Sequence, residues 1–148
     1  MRVGDKMKKL NDLYPGIGTD IVIKRVSINS KEVEPGDLFV CTMGVTADRH
    51  DFIDNAIENG ASAIVVSKDI RDKSVPIIKV PDTNRELPYL CQKLYDYPDK
   101  KLKMIGVTGT DGKTSVATII QSLIGSDLCG YIGTNPLSPS VTRPCHPR

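Results

Sequence analysis

Gly106-Val-Thr-Gly-Thr-Asp-Gly-Lys-Thr-Ser115 overlaps an apolar run, Met104-Ile-Gly-Val-Thr108. It leads into a segment whose Val116, Ile119, Ile120, Leu123 and Ile124 recur at helical spacing. A strand, a glycine loop and a helix start in that order make an anion site. The first amides of a helix lack intrahelical partners, and its dipole favours negative charge there. Gly109 and Gly112 carry no Cβ, so the backbone can approach a phosphate closely. Gly109, Thr110, Asp111, Gly112, Lys113, Thr114 and Ser115 are therefore the candidate residues for binding ATP or GTP. Lys113 is placed to reach the terminal phosphates and is the candidate catalytic group, stabilising charge on them. Thr114 offers a hydroxyl to Mg²⁺. The spacing departs from the standard phosphate loop, whose first glycine would fall at Val107, one residue after Gly106. A different phosphate-loop ATPase that shares only this loop stays open at this point.

Upstream, strands and helices alternate. Asp5–Leu13 reads as a short helix stopped by Pro15-Gly-Ile-Gly18, and Ile21-Val-Ile23 as a short strand. Leu38-Phe-Val-Cys41 and Ala63-Ile-Val-Val66 are continuous apolar runs of the kind found in strands buried on both faces. Pro76-Ile-Ile-Lys-Val80 repeats the pattern. Phe52, Ile53, Ala56 and Ile57 predict a helix ended by Gly60. Thr83 and Glu86 have capping-box spacing ahead of Leu87, Leu90, Cys91, Leu94 and Tyr95, with Pro88 expected to distort that helix or delay its start. Cys41 and Cys91 fall on apolar faces and read as small core residues, and His50 as a structural or exposed histidine rather than a base.

Tyr97-Pro-Asp-Lys-Lys101 reads as a linker, so a domain boundary is expected near residues 98–102. Residues 136–148 hold four prolines and no periodicity, and are expected to form a disordered tail or a non-native end. The 148 residues are 39% hydrophobic and 26% charged, with net charge +2, an ordinary globular composition. With no basic block, no Trp and only two Phe, neither bulk charge nor base stacking points to nucleic acid. No apolar run approaches the roughly 18–20 residues of a membrane span, and the N-terminus lacks a secretory pattern. Cys41, Cys91, Cys129 and Cys145 form no CxxC pair, which argues against a zinc site and for free thiols in a reducing cytoplasm.

The loop resembles the ATP loop of the Mur ligases, usually written GVTGTNGKT, with Asp111 in place of Asn. That acid stands near the phosphates, where backbone donors and Lys113 must offset its repulsion. A second block, Ser27-Ile-Asn-Ser-Lys-Glu-Val-Glu-Pro-Gly-Asp-Leu-Phe-Val40, resembles the DSRxVxPGxLFVA block of the MurE and MurF N-terminal domains, with Asn29 and Lys31 where Asp and Arg are usual. Gly44-Val-Thr-Ala-Asp-Arg-His-Asp-Phe-Ile53 is similar to GxxxDGHxFI, with Arg49 for Gly. Leu94-Tyr-Asp-Tyr-Pro98 leading into the loop, and Gly130-Tyr-Ile-Gly-Thr-Asn135 after its helix, look like the MurE type rather than MurF. The resemblance covers about residues 20–135.

The resemblance implies an α/β fold: a small UDP-substrate-binding domain over residues 1–98, then the start of a phosphate-loop central domain over 102–135. By position, Ile28, Ser30, Val45, Thr46 and Ala47 would hold the uridine diphosphate end of UDP-N-acetylmuramoyl-L-alanyl-D-glutamate. It implies an ATP- and Mg²⁺-dependent ligase of peptidoglycan synthesis, cytoplasmic and monomeric, with no nucleic-acid or membrane partner. Such an enzyme adds the third stem-peptide amino acid, meso-diaminopimelate by default or L-lysine, through an acyl phosphate. It also implies further domains that these residues do not carry, so the chain is expected to be a truncated, inactive piece with an unstable second unit. The alternatives are a non-catalytic binder of the uridine precursor and a MurF-type ligase.

Overall fold

The computed structural model describes residues 7–44, 48–125 and 128–133. The chain divides into two compact units, Met1–Leu102 and Lys103–Arg148.

The first unit is built on a four-stranded parallel sheet: β3 (Arg25–Ser27), β4 (Asp37–Val40), β5 (Ala63–Val66) and β6 (Ile77–Lys79), side by side in chain order. Ahead of it, β1 (Lys8–Lys9) and β2 (Val22–Ile23) pair antiparallel around α1 (Leu10–Leu13). α2 (Ile53–Glu58), entered through the 3-10 turn Arg49–Phe52, lies between β4 and β5, and α3 (Thr83–Leu94) follows β6. Leu38 pairs with Ala63, Phe39 with Ile64 and Val40 with Val65. Ile64 and Val65 in turn face Ile77 and Ile78.

Side chains alternate across a strand. Leu38, Val40, Ala63, Val65 and Ile78 therefore enter one core with Leu10, Leu13, Leu90 and Leu94. Phe39, Cys41, Ile64 and Val66 enter the other with Val33, Ile53, Ala56 and Ala61. Two apolar faces explain the unbroken apolar runs of β4 and β5, and the α/β class expected from them is what the sheet shows.

β3 has no such run. A charged clasp holds it at the sheet edge: buried Asp37 accepts from Arg25 Nη2 at 2.6 Å, from Arg25 Nε at 3.2 Å and from the Glu34 amide at 3.0 Å. Arg25 Nη2 also donates to Glu32 O at 2.8 Å, and its hydrogen bond to Asp37 raises the guanidinium pKa above its ordinary value.

Several local expectations shift. The helix expected over Asp5–Leu13 is only Leu10–Leu13. Lys8 and Lys9 take the ladder with Val22 and Ile23 instead, and residues 1–6 lie outside the described residues. α3 is capped by Asp82, whose carboxylate accepts from the Asn84 and Arg85 amides. Thr83 is its first residue and donates its hydroxyl to Cys41 O at 2.8 Å. Pro88 neither delays nor ends α3, which runs on to Leu94. α2 ends at Glu58 with Asn59 as its cap, and Gly60, expected to end it, follows in the left-handed region at φ 101°, its amide donating to Ile57 O.

In the second unit α4 spans Lys113–Ile124 as expected, but residues 104–108 form no strand and pair with nothing among the described residues. A strand needs a neighbour to satisfy its backbone. Met104 and Ile105 are accordingly exposed, as are Val116, Ile119 and Leu123 on α4. No helix among the described residues is long and apolar enough to cross a membrane. The expected tail, 136–148, lies outside the described residues.

Candidate functional site

In a parallel sheet all strands end on one edge, and ligands of such sheets bind beyond the carboxyl ends. Ile28 and Ser30 stand just past the end of β3, on the same sheet edge as Thr42–Gly44 past β4, Ser67–Lys68 past β5 and Asp82–Asn84 past β6. The structure thus brings Ile28 and Ser30 to that edge. Ile28 is half-buried against the first core. Ser30 is buried and opens a 3-10 turn capped by Asn29, and its carbonyl accepts from Asn59 Nδ2 at 2.9 Å. Val45, Thr46 and Ala47, the other expected substrate contacts, lie outside the described residues.

The chain on either side of those three is tied down. Met43 and Asp48 form an antiparallel bridge. On the Met43 side, the Asn84 side chain accepts from Met43 N at 3.0 Å and donates to Met43 O at 2.8 Å. Arg49 reaches back to Thr42, backbone N to O at 3.3 Å and Nη1 to Oγ1 at 2.9 Å. On the Asp48 side, His50 Nδ1 is 2.5 Å from Asp48 Oδ1, and Lys68 pairs with Asp48 Oδ2. Lys68 foremost, then His50, holds the Asp48 carboxyl well below the usual carboxylate range, while Asp48 raises the Lys68 ammonium.

His50, Asp48 and Ser67 look at first like a nucleophile–base–acid set, with Ser67 Oγ 3.4 Å from His50 Nε2. The ring is already committed. The Ser67 amide donates to Nε2 at 3.1 Å, so its lone pair cannot also take a hydroxyl proton. His50 is a buried connector between the start of α2 and the end of β5. Cys41, behind it, is a buried thiol pushed up to about 12, by burial first and by Asp48 second, which makes it a poor nucleophile. Sequence reasoning passed over Asn84, Asp48 and Ser67 as contributors to this edge. Only the Asp82 cap, which fixes where α3 starts, could have hinted at Asn84.

In the second unit Gly109 and Gly112 have φ of 152° and 74°, and Gly112 caps α4 with no side-chain acceptor on the first amides. No acidic residue lies in the first turn of α4. A donor set of unclaimed helix-start amides fits an anionic phosphate. A Cβ on Gly109 would meet Asp111 O at 3.4 Å, an ordinary contact, so it is the φ of 152° rather than crowding that disfavours a side chain there. Lys113 Nζ donates to Thr110 O at 3.0 Å and also to Gly109 O, which lays the ammonium across the inside of the loop. Thr114 is half-buried, and its carbonyl accepts from Thr118 Oγ1 at 2.7 Å. Thr110, Asp111 and Ser115 are exposed around the same turn. Among the described residues no cluster of three or more His, Cys, Asp or Glu could by itself hold a metal. Mg²⁺ at Thr114 would then depend on phosphate oxygens and water for its other ligands.

Sequence comparison reaches the same family. Residues 22–105 match the family described as "Mur ligase family, catalytic domain". The chain is 45% identical over 115 residues to the UDP-N-acetylmuramoyl-L-alanyl-D-glutamate--2,6-diaminopimelate ligase of Oceanobacillus iheyensis, covering 76% of this chain and 23% of that protein. To the ligase of the same name from Clostridioides difficile it is 38% identical over 135 residues, 85% and 28% of the two chains. A crystal structure of MurF ligase from Thermotoga maritima in complex with ADP superposes with a TM-score of 0.56 at 35% identity, over 68% of this chain and 23% of that one. The chain spans about a quarter of the length of these relatives. With a four-stranded parallel sheet, a glycine loop opening a helix, and a family match over more than half its length, the chain belongs to the Mur ligase family.

Proposed function

We propose that this chain carries the uridine-precursor-binding unit and the start of the ATP-binding unit of a MurE-type ligase. Such an enzyme joins meso-diaminopimelate to UDP-N-acetylmuramoyl-L-alanyl-D-glutamate in the cytoplasm. The observation that carries the reading is the 45% identity to a diaminopimelate ligase over 115 residues, a span that must take in at least part of the carboxyl-edge blocks. The MurF-type alternative has weaker support, since the MurF structure is 35% identical where the diaminopimelate ligase reaches 45%.

Within this reading Ile28 and Ser30 contact the uracil end, and Val45, Thr46 and Ala47 complete that contact. The amides from Gly109 to Ser115 bind the nucleotide phosphates. Lys113 gives up its loop carbonyls to neutralise the terminal phosphates, and Thr114 offers its hydroxyl to Mg²⁺. Bound MgATP supplies the phosphoryl group that turns the substrate carboxylate into an acyl phosphate, from which the incoming amine displaces phosphate.

A second reading, a binder of the uridine precursor that does not ligate, is favoured by one observation. The first unit has two apolar cores of its own, whereas residues 104–108 have no ladder partner among the described residues. Calorimetric titration of the chain with UDP-N-acetylmuramoyl-L-alanyl-D-glutamate, then with MgATP, tests both. Binding of the two ligands supports the ligase reading, and binding of the uridine ligand alone supports the binder. Failure to bind the uridine ligand removes both.

A further inference from the structure

We propose that Asn84 is a positioning residue for the uridine diphosphate end of the substrate, acting through the Met43 peptide at the carboxyl end of β4. The inference rests on the reading of that edge as the uridine site. β4 pairs with β5 as far as Val40, and the Cys41 amide still bonds to Val65 O. Beyond Cys41 the ladder stops and the backbone groups need other partners. They find them at the start of α3, on successive residues. Thr83 Oγ1 takes Cys41 O, and the Asn84 amide group takes both the N–H and the C=O of Met43, at 3.0 and 2.8 Å.

A primary amide carries an acceptor and a donor side by side in one plane, so Asn84 does for Met43 what the next strand would do. Its backbone is fixed by the Asp82 carboxylate, which accepts from the Asn84 main-chain N–H at 2.9 Å. Both Asn84 and Met43 are exposed, so water competes for these bonds and they add little to global stability. Their effect is local: they set the direction in which the chain leaves β4 at Met43 and Gly44.

The test compares the wild-type chain with Asn84→Ala and Asn84→Asp, with Arg85→Ala on the same helical turn as control. Uridine diphosphate is titrated by calorimetry, thermal midpoints are recorded, and amide exchange is read at Met43. Asn84→Ala is expected to weaken uridine diphosphate binding by about tenfold, the size of one lost orienting interaction. Met43 exchange should speed up and the thermal midpoint should stay near wild type. Asn84→Asp keeps the acceptor for Met43 N–H but sets a carboxylate against Met43 O, so it should bind no better than Asn84→Ala. Arg85→Ala should match wild type. Unchanged binding in Asn84→Ala, or a loss that merely tracks a lowered midpoint, overturns the proposal while leaving the uridine site standing. Absence of uridine diphosphate binding by the wild type overturns the site and this role with it.

Discussion

Replacing Asp37 with Asn asks how much of the first unit's stability rests on the clasp between β3 and β4. The carboxylate is buried and takes three donors: Arg25 Nη2 at 2.6 Å, Arg25 Nε at 3.2 Å and the Glu34 amide at 3.0 Å. An asparagine of the same shape keeps one oxygen, and its NH₂ group must face one of those donors. Hydrogen bonds to a charged group contribute about 1.5–3 kcal/mol each. The Arg25 side chain is 41% exposed, so water replaces part of what it loses, and its share falls to about 1 kcal/mol. A Glu34 amide left facing a donor adds roughly 1–2 kcal/mol. The expected loss is therefore about 2–3 kcal/mol, a large part of the roughly 5–15 kcal/mol that holds a domain together. Urea unfolding followed by far-UV circular dichroism should show the midpoint falling by about 2–3 M, for a slope near 1 kcal/mol per M. In a double-mutant cycle with Arg25→Met, which keeps the aliphatic stem, the coupling should be about 1–2 kcal/mol. A loss below about 0.5 kcal/mol, the size expected of an exposed pair such as Lys9–Asp20, would refute the argument that burial makes this clasp matter.

Gly60→Ala should destabilise the first unit by about 1 kcal/mol or more, read from the same urea curves. Its φ of 101° is strained for a side chain, and the new Cβ would meet Pro35 Cγ at 3.0 Å. Asp48→Asn should lower stability at neutral pH. The folded-state Asp48 carboxyl lies below its ordinary value, so its pairing stabilises above about pH 4 and is lost as the pH falls through the folded value. Lys68 is raised, so its share persists until the pH climbs through the folded lysine value. The gap between wild type and Asp48→Asn should thus close on acidification, and a gap that widens in acid would contradict the pairing. Asp111→Asn should tighten MgADP binding by about three- to tenfold in calorimetry, since it removes a negative charge beside the phosphates. Looser binding would mean that Asp111 assists the cation rather than opposing the anion.

What could be read from the sequence was local and periodic. β4 and β5 were legible because a strand buried on both faces must be apolar at every position, and Leu38–Cys41 and Ala63–Val66 are. β3 was not, because Arg25-Val-Ser27 has one apolar residue and is held by the Arg25–Asp37 clasp. Thr83 and Glu86 suggested a capping box, yet the cap is Asp82, because the Thr83 hydroxyl is drawn to Cys41 O, 42 residues away. The apolar run at 104–108 predicts a strand, but a strand is a property of neighbours. At the site, the glycine loop was legible from Gly109, Gly112 and Lys113, and Ile28 and Ser30 came only with the family resemblance.

The rest of the site edge escaped for one physical reason. Where a ladder ends, the next peptide groups must be satisfied by side chains arriving from elsewhere. Here each arrives from far along the chain: Asn59 to Ser30 O, Thr83 to Cys41 O, Asn84 to Met43, and His50 to the Ser67 amide. These bonds cross 17 to 42 residues of sequence and follow no period. The core needs apolar residues in rhythm, whereas this edge needs single polar groups at single points. Its geometry should therefore be sensitive to single substitutions that leave the fold intact.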